Sequence, residues 1–138
     1  MSAIPEGFEA MPPFGPFHEL VGPIYARRTQ AGWIVGFPVQ EKHRNRGTAL
    51  HGGMLCMLAD TAFTWASHYS REPPIRCVTT SLAVNFVGRA APGDWVEAHV
   101  DVVRSGRTAV FMNLMIWCRG ERIAQATAQF QVVGQADG

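Results

Sequence analysis

Net charge is nearly absent from this sequence. Lys and Arg number 12 against 11 Asp and Glu, for a formal net charge of +1. No basic face is implied, which argues against a nucleic-acid binder that works by neutralising phosphates. Long apolar runs are missing as well, and no stretch is long enough to span a bilayer. Met1 to Gly15 lack the basic and apolar regions of a secretory signal, so a cytoplasmic protein is expected. Cysteine is scarce. Cys56, Cys77 and Cys118 are odd in number and widely spaced, and are expected as buried free thiols in a reducing compartment. The five histidines (His18, His43, His51, His68, His99) show no paired spacing near a carboxylate, so no zinc or other metal site is expected. Internal repeats and low-complexity segments are absent. What remains is an ordinary globular composition, 47% hydrophobic and 17% charged, in 138 residues. That length suits one domain with a real core.

Residues 1–16 carry Pro5, Pro12, Pro13 and Pro16 with Gly7 and Gly15, and read as an irregular arm laid over the domain or left loose. The single domain then runs from 17 to 138. Phe17 to Val21 reads as a short helix stopped by Gly22-Pro23. Ile24 to Arg28 and Gly32 to Val39 read as strands, with Trp33, Val35 and Phe37 alternating toward a core. Gln40 to Leu50 is polar and reads as a loop. A long helix from Gly53 to about Tyr69 ends at Arg71-Glu72-Pro73-Pro74. Strands follow at Cys77 to Val87, Trp95 to Ser105, Thr108 to Cys118 and Arg122 to Val133. Turn signals at Pro92-Gly93, Ser105-Gly106 and Gly120-Glu121 separate them. The fold class is α+β: a curved antiparallel sheet, five or six strands wide, wrapped around one long central helix. The exposed edges of such a sheet need covering, and a second subunit is a common solution.

The long helix carries the chemistry. It is apolar nearly all the way round, as buried helices are, yet Asp60 sits in its middle. Asp60 and Thr64 share one narrow stripe. A buried carboxylate without a partner costs roughly several kcal/mol, which makes Asp60 a functional candidate. His51-Gly52-Gly53 opens the helix. Free backbone N–H groups there, backed by the helix dipole, can polarise a carbonyl that approaches where side chains are missing. Asp60 can then serve as general base on water or as nucleophile. Asn45 offers an amide to orient water or substrate. His51 at a helix start either orders the loop or acts as a base. Gly52 and Asp60 lie about 12 Å apart along the axis at 1.5 Å per residue. One chain's pair cannot meet on one carbonyl, so a composite site between two subunits is expected.

The run Asn45-Arg46-Gly47-Thr48-Ala49-Leu50-His51-Gly52-Gly53, followed by Leu58-Ala59-Asp60-Thr61, resembles the hotdog-fold acyl-CoA thioesterases of the phenylacetic-acid-degradation (PaaI-like) type. The resemblance covers about residues 17–133. It implies a hotdog fold, assembly as a dimer or dimer of dimers, and hydrolysis of an acyl-CoA to free acid and coenzyme A, with no cofactor beyond the coenzyme A of the substrate. It matches Asp60 to the catalytic carboxylate, Gly52 to the backbone donor and Asn45 to the amide beside the reacting group. Thr79 falls where a hydroxyl helps position water, with Thr80 and Ser81 open as alternatives. Gly53 and Thr64 are expected against substrate, and Arg89, Arg104 and Arg107 are candidates for the coenzyme A phosphates. Met54, Met57, Phe63 and Trp65 are expected in the core, one or two of them lining an acyl pocket. Two other readings compete: a non-catalytic acyl-CoA-binding module, and a hotdog dehydratase or hydratase. The second would pair a His with the carboxylate, and the only nearby His precedes the glycines.

Overall fold

Every strand among the described residues pairs antiparallel in one sheet of order β1-β2-β3-β5-β6-β7-β4. The computed structural model describes residues 3–135. The elements are β1 (Glu9–Ala10), α1 (Pro16–Val21), β2 (Tyr25–Thr29), β3 (Gly32–Pro38), a 3₁₀ turn (Glu41–His43), α2 (Gly52–His68), β4 (Ile75–Phe86), β5 (Trp95–Ser105), β6 (Ala109–Cys118) and β7 (Glu121–Gln135). Alternating apolar residues build the concave face. Val96, Ala98 and Val100 of β5 are buried, as are Val110, Met112, Leu114 and Ile116 of β6, and all turn toward α2. Phe63 of α2 meets Phe130 of β7 edge to face, with centroids 6.2 Å apart. This is the curved sheet around one helix expected of a hotdog fold. No helix among the described residues is long and apolar enough to cross a membrane.

The sheet has seven strands rather than five or six. The addition is β1: part of the N-terminal arm pairs Glu9 with Ala26 and Ala10 with Tyr25, while Phe8 and Met11 are buried beside it. Strand β3 also departs from simple alternation, because Ile34 to Pro38 are buried on both faces. Its outer face is covered by the Trp95 ring, which itself packs against Phe8 and Tyr25. A Cβ on Gly36 would lie 2.6 Å from that ring, so only glycine fits there. The β6–β7 turn falls one residue earlier than expected, on Arg119 and Gly120. Their φ values of 51° and 76° are those of a tight two-residue hairpin turn.

Connection through α2 places β4 on the far edge of the sheet from β3, paired only with β7. This is a long, unprotected edge. Within it only Arg76 is charged, and Val78 and Phe86 are exposed, with Val87 just beyond. Lysine, proline and short length, three of the devices that blunt an edge, are missing within it, and two β-bulges interrupt its pairing with β7.

Candidate active site

Helix α2 begins where His51 turns its ring back over the chain. His51 is the N-cap, with extended backbone (φ −65°, ψ 133°), and its Nδ1 accepts the Gly53 N–H at 2.8 Å. A Cβ on Gly53 would sit 2.9 Å from Nδ1, so the second glycine makes room for the cap. The Gly53 amide, expected against substrate, is therefore already engaged. Among the described residues nothing accepts the Gly52 N–H, which is left at the positive end of the helix dipole. His51 is exposed and its Nδ1 is committed to the cap, leaving only Nε2 for any other task.

Asn45 is held close to this helix start by its loop. Its N–H donates to the Ala49 carbonyl at 2.7 Å, and its Oδ1 accepts the Ala49 N–H at 3.2 Å. The side-chain NH₂ makes no hydrogen bond among the described residues. An Arg44–Leu50 bridge and a His51 N–H to His43 carbonyl bond close the base of the loop.

Asp60 is half-buried, not fully buried as its apolar neighbours led one to expect. Helix α2 turns Leu55, Leu58, Ala59, Ala62 and Ala66 into the core, while Cys56, Asp60 and Thr64 form a stripe that stays partly open. Asp60 Oδ1 accepts the Thr79 Oγ1–H at 2.7 Å. Thr79 is the residue that reaches Asp60 because β4 carries a bulge. The pairing steps from Thr79↔Phe130 to Ser81↔Gln129, leaving Thr80 unpaired, and the Thr80 hydroxyl donates to the Gln129 carbonyl at 2.8 Å. Thr64 spends its hydroxyl on the Asp60 carbonyl, at 2.8 Å along the helix.

The three arginines separate. Arg89 Nη2 donates to Thr48 at 3.2 Å, at the same end of α2 as Gly52. Arg104 and Arg107 are exposed at the β5–β6 hairpin, at the other end. There Arg71, which the sequence marked only as the end of the helix, joins the hairpin. It donates to the Gly106 carbonyl at 2.6 Å, while Ser70 and Ser105 share a hydroxyl bond of 2.7 Å. Of the cysteines only Cys118 is buried; Cys56 and Cys77 are half-buried, and all three are free thiols. Burial pushes the Cys77 and Cys118 thiols up from their ordinary range.

Two cavities flank α2. The larger, about 430 Å³, lies at its C-terminal end between Arg28, Trp33, Tyr69 and Arg104, away from both Gly52 and Asp60. The smaller, about 330 Å³, lies beside the helix start, bounded by His51, Gly53, Met54 and Met57 and by Phe17 and Val21 of α1. The helix start thus carries an open amide and an adjoining cavity, and the middle of the same helix carries a carboxylate held by a hydroxyl.

Residues 47–125 match the family described as the thioesterase superfamily. A Pseudomonas aeruginosa protein named provisionally as an esterase is 35% identical over 133 residues, covering 96% of this chain and 99% of its own. Among solved structures, a mutant of the phenylacetic acid degradation protein PaaI from Thermus thermophilus superposes with a TM-score of 0.74. It is 26% identical, over 85% of this chain and 98% of that one. A Streptococcus mutans protein, solved bound to acetyl CoA, shares the fold with a TM-score of 0.74 at 20% identity, over 99% of this chain and 96% of that one. With a family match over more than half its length and a relative of 35% identity along nearly all of it, this chain belongs to the thioesterase superfamily as a PaaI-like hotdog thioester hydrolase.

Proposed function

We propose that the protein hydrolyses an acyl-CoA to a free acid and coenzyme A, in a site shared by two copies of the chain. The observation that carries this reading is the pair of contacts along β4. Asp60 bonds Thr79 in the first half of that strand, and the position of a Gly52 Cβ lies 3.5 Å from the Phe86 ring at its far end. Antiparallel pairing of β4 with a second β4, centred on Ala83 so that side chains of one face stand opposite one another, sets each Phe86 opposite the Thr79–Thr80 bulge of the partner subunit. Gly52 then faces Asp60 of the partner subunit, which one helix alone cannot achieve because the two lie about 12 Å apart along its axis. The same pairing covers the unprotected edge. The acetyl CoA bound to the Streptococcus mutans protein supports coenzyme A as the thiol half of the substrate.

In this site the Gly52 N–H donates to the thioester carbonyl oxygen and stabilises the oxyanion that forms there. Thr79 occupies Asp60 Oδ1, which leaves Oδ2 to take a proton from water or to attack the carbonyl carbon directly. In either course the C–S bond breaks, the sulfur leaves as coenzyme A and takes up a proton, and water supplies the new oxygen of the acid. The free NH₂ of Asn45 donates to the reacting group. Arg89, at the Gly52 end, is placed to meet the phosphates. No metal or added cofactor enters the scheme, and the enzyme is read as cytoplasmic.

The test is release of free thiol from a panel of acyl-CoAs by wild type and Asp60→Asn. The variant is expected to lose at least ~100-fold in kcat with little change in KM. Tight acyl-CoA binding without turnover by wild type would contradict the enzyme reading.

A further inference from the structure

We infer that the cavity between α1 and the first turns of α2 is the acyl pocket, and that Phe17, Val21 and Met57 set the size of acyl group accepted; this rests on the thioester reading above. The cavity begins one residue from the open Gly52 amide, since His51 and Gly53 are part of its wall. Gly53 and Met57 also flank the stripe that carries Asp60. Two arms leave a thioester carbonyl bound there. The pantetheine arm carries amides and ends in charged phosphates, so it must stay in contact with water. The acyl arm is the one that an apolar cavity stabilises, by roughly fourfold for each methylene withdrawn from water.

The wall contributed by α1 is held in place. Lys42 Nζ donates to the carbonyls of Leu20 at 3.1 Å and Gly22 at 2.6 Å, and His43 Nε2 donates to the Val21 carbonyl at 2.6 Å. These bonds satisfy carbonyls that the end of a short helix leaves open. The inner wall is positioned too, with the Thr61 hydroxyl on Met57 Sδ at 3.3 Å. Yet Phe17, which lines the cavity, is 61% exposed although α1 is firmly anchored. Apolar side chains on a fixed helix beside an apolar cavity present contact area that the chain itself does not use. No carboxylate lines the cavity; its basic wall residues Lys42, His43 and Arg44 bond the carbonyls of Leu20, Gly22, Val21 and Gly47, and two methionine side chains adapt to linear or flat groups. The acyl class that fits is apolar, of medium chain length or aryl.

The experiment compares kcat/KM across acetyl-, butyryl-, octanoyl-, dodecanoyl- and benzoyl-CoA for wild type, Met57→Trp and Phe17→Ala. Filling the cavity with Met57→Trp is expected to lower the octanoyl-to-acetyl ratio by at least ~10-fold. Phe17→Ala is expected to raise KM for octanoyl-CoA several-fold more than for acetyl-CoA. Loss that falls equally on all acyl groups, or an unshifted profile in both variants, would overturn the pocket assignment while leaving the thioesterase standing. Should Met57→Trp fail to fold by circular dichroism, Phe17→Ala decides alone, because Phe17 is exposed. Absence of thiol release by wild type from every member would overturn the thioester reading and this inference with it.

Discussion

The hydroxyl of Thr79 on strand β4 donates to Oδ1 of Asp60 on helix α2 at 2.7 Å, and thereby joins the sheet edge to the only acidic side chain of that helix. Hydrogen bonds to a charged acceptor are worth about 1.5–3 kcal/mol, part of which serves to orient the carboxylate. Thr79→Val keeps the shape and removes the donor. It is expected to lower kcat by about tenfold with KM nearly constant, and Thr79→Ser to restore most of the loss. Steady-state kinetics on one good acyl-CoA measure both.

His51 separates cap from base. An asparagine at the N-cap can accept the same helix amide that the imidazole accepts. His51→Asn is therefore expected to keep the melting temperature within a few degrees and kcat within about fivefold of wild type, as the capping role requires. A base contributes 10²–10⁴-fold, so a drop of at least ~100-fold in the asparagine variant would assign the ring to proton transfer.

Acid should loosen the α1 region. His43 is buried with Nδ1 accepting the Gln40 N–H at 2.9 Å, so its ring is neutral with the proton on Nε2, bonded to Val21. Burial lowers its pKa from 6.5; the Val21 bond opposes this and the Lys42 charge adds to it. His18 is lowered by burial as well. When a histidine binds its proton more weakly folded than unfolded, its stabilising effect is full above the unfolded value and is lost as pH falls below it. The melting temperature is expected to fall as pH drops through 6.5. Thermal melts across that range should show a smaller slope in His43→Gln.

Assembly is testable at the β4 edge. Ala83 is exposed near the proposed two-fold. Ala83→Lys would bring two like charges together across that axis, so light scattering should show a monomer at low micromolar concentration, with thiol release lost in parallel. A fully active monomer would contradict the shared site.

Local signals made most of this fold readable. The ends of β5 at Trp95 and Ser105 follow from strict alternation between glycine-bearing turns, and α2 begins within one residue of its expected start because Gly52-Gly53 marks it. The features that stayed hidden depend on partners distant in the chain. The N-terminal arm gains β1 only because β2 offers it an edge. The seating of Thr79 depends on the bulge at Thr80, which no periodicity announces. The open stripe of Cys56, Asp60 and Thr64 escaped notice because apolar spacing reports what prefers burial and not what covers it. Arg71 looked like a helix terminator, and its clamp on Gly106 needs the hairpin 35 residues away. The grouping of Gly52 with Asp60 rests on motif and spacing, and the His51 cap on the Gly53 N–H is the ordering of the helix start that the sequence offered as one of two readings of His51.

The central claim is that the Gly52 amide and Asp60 act together only across two subunits, and mixed dimers test it most directly. Gly52→Pro removes the amide at a position that proline favours, the first residue of a helix, after a residue already extended. Each of Gly52→Pro and Asp60→Asn alone should be nearly inactive. Co-expressed with different tags and purified as the mixed dimer, the two variants leave one site with both defects and one with neither. Thiol release at about half the wild-type rate per dimer is the predicted result. A mixed dimer no more active than its inactive parents would mean that the site lies within one chain, and would contradict the account.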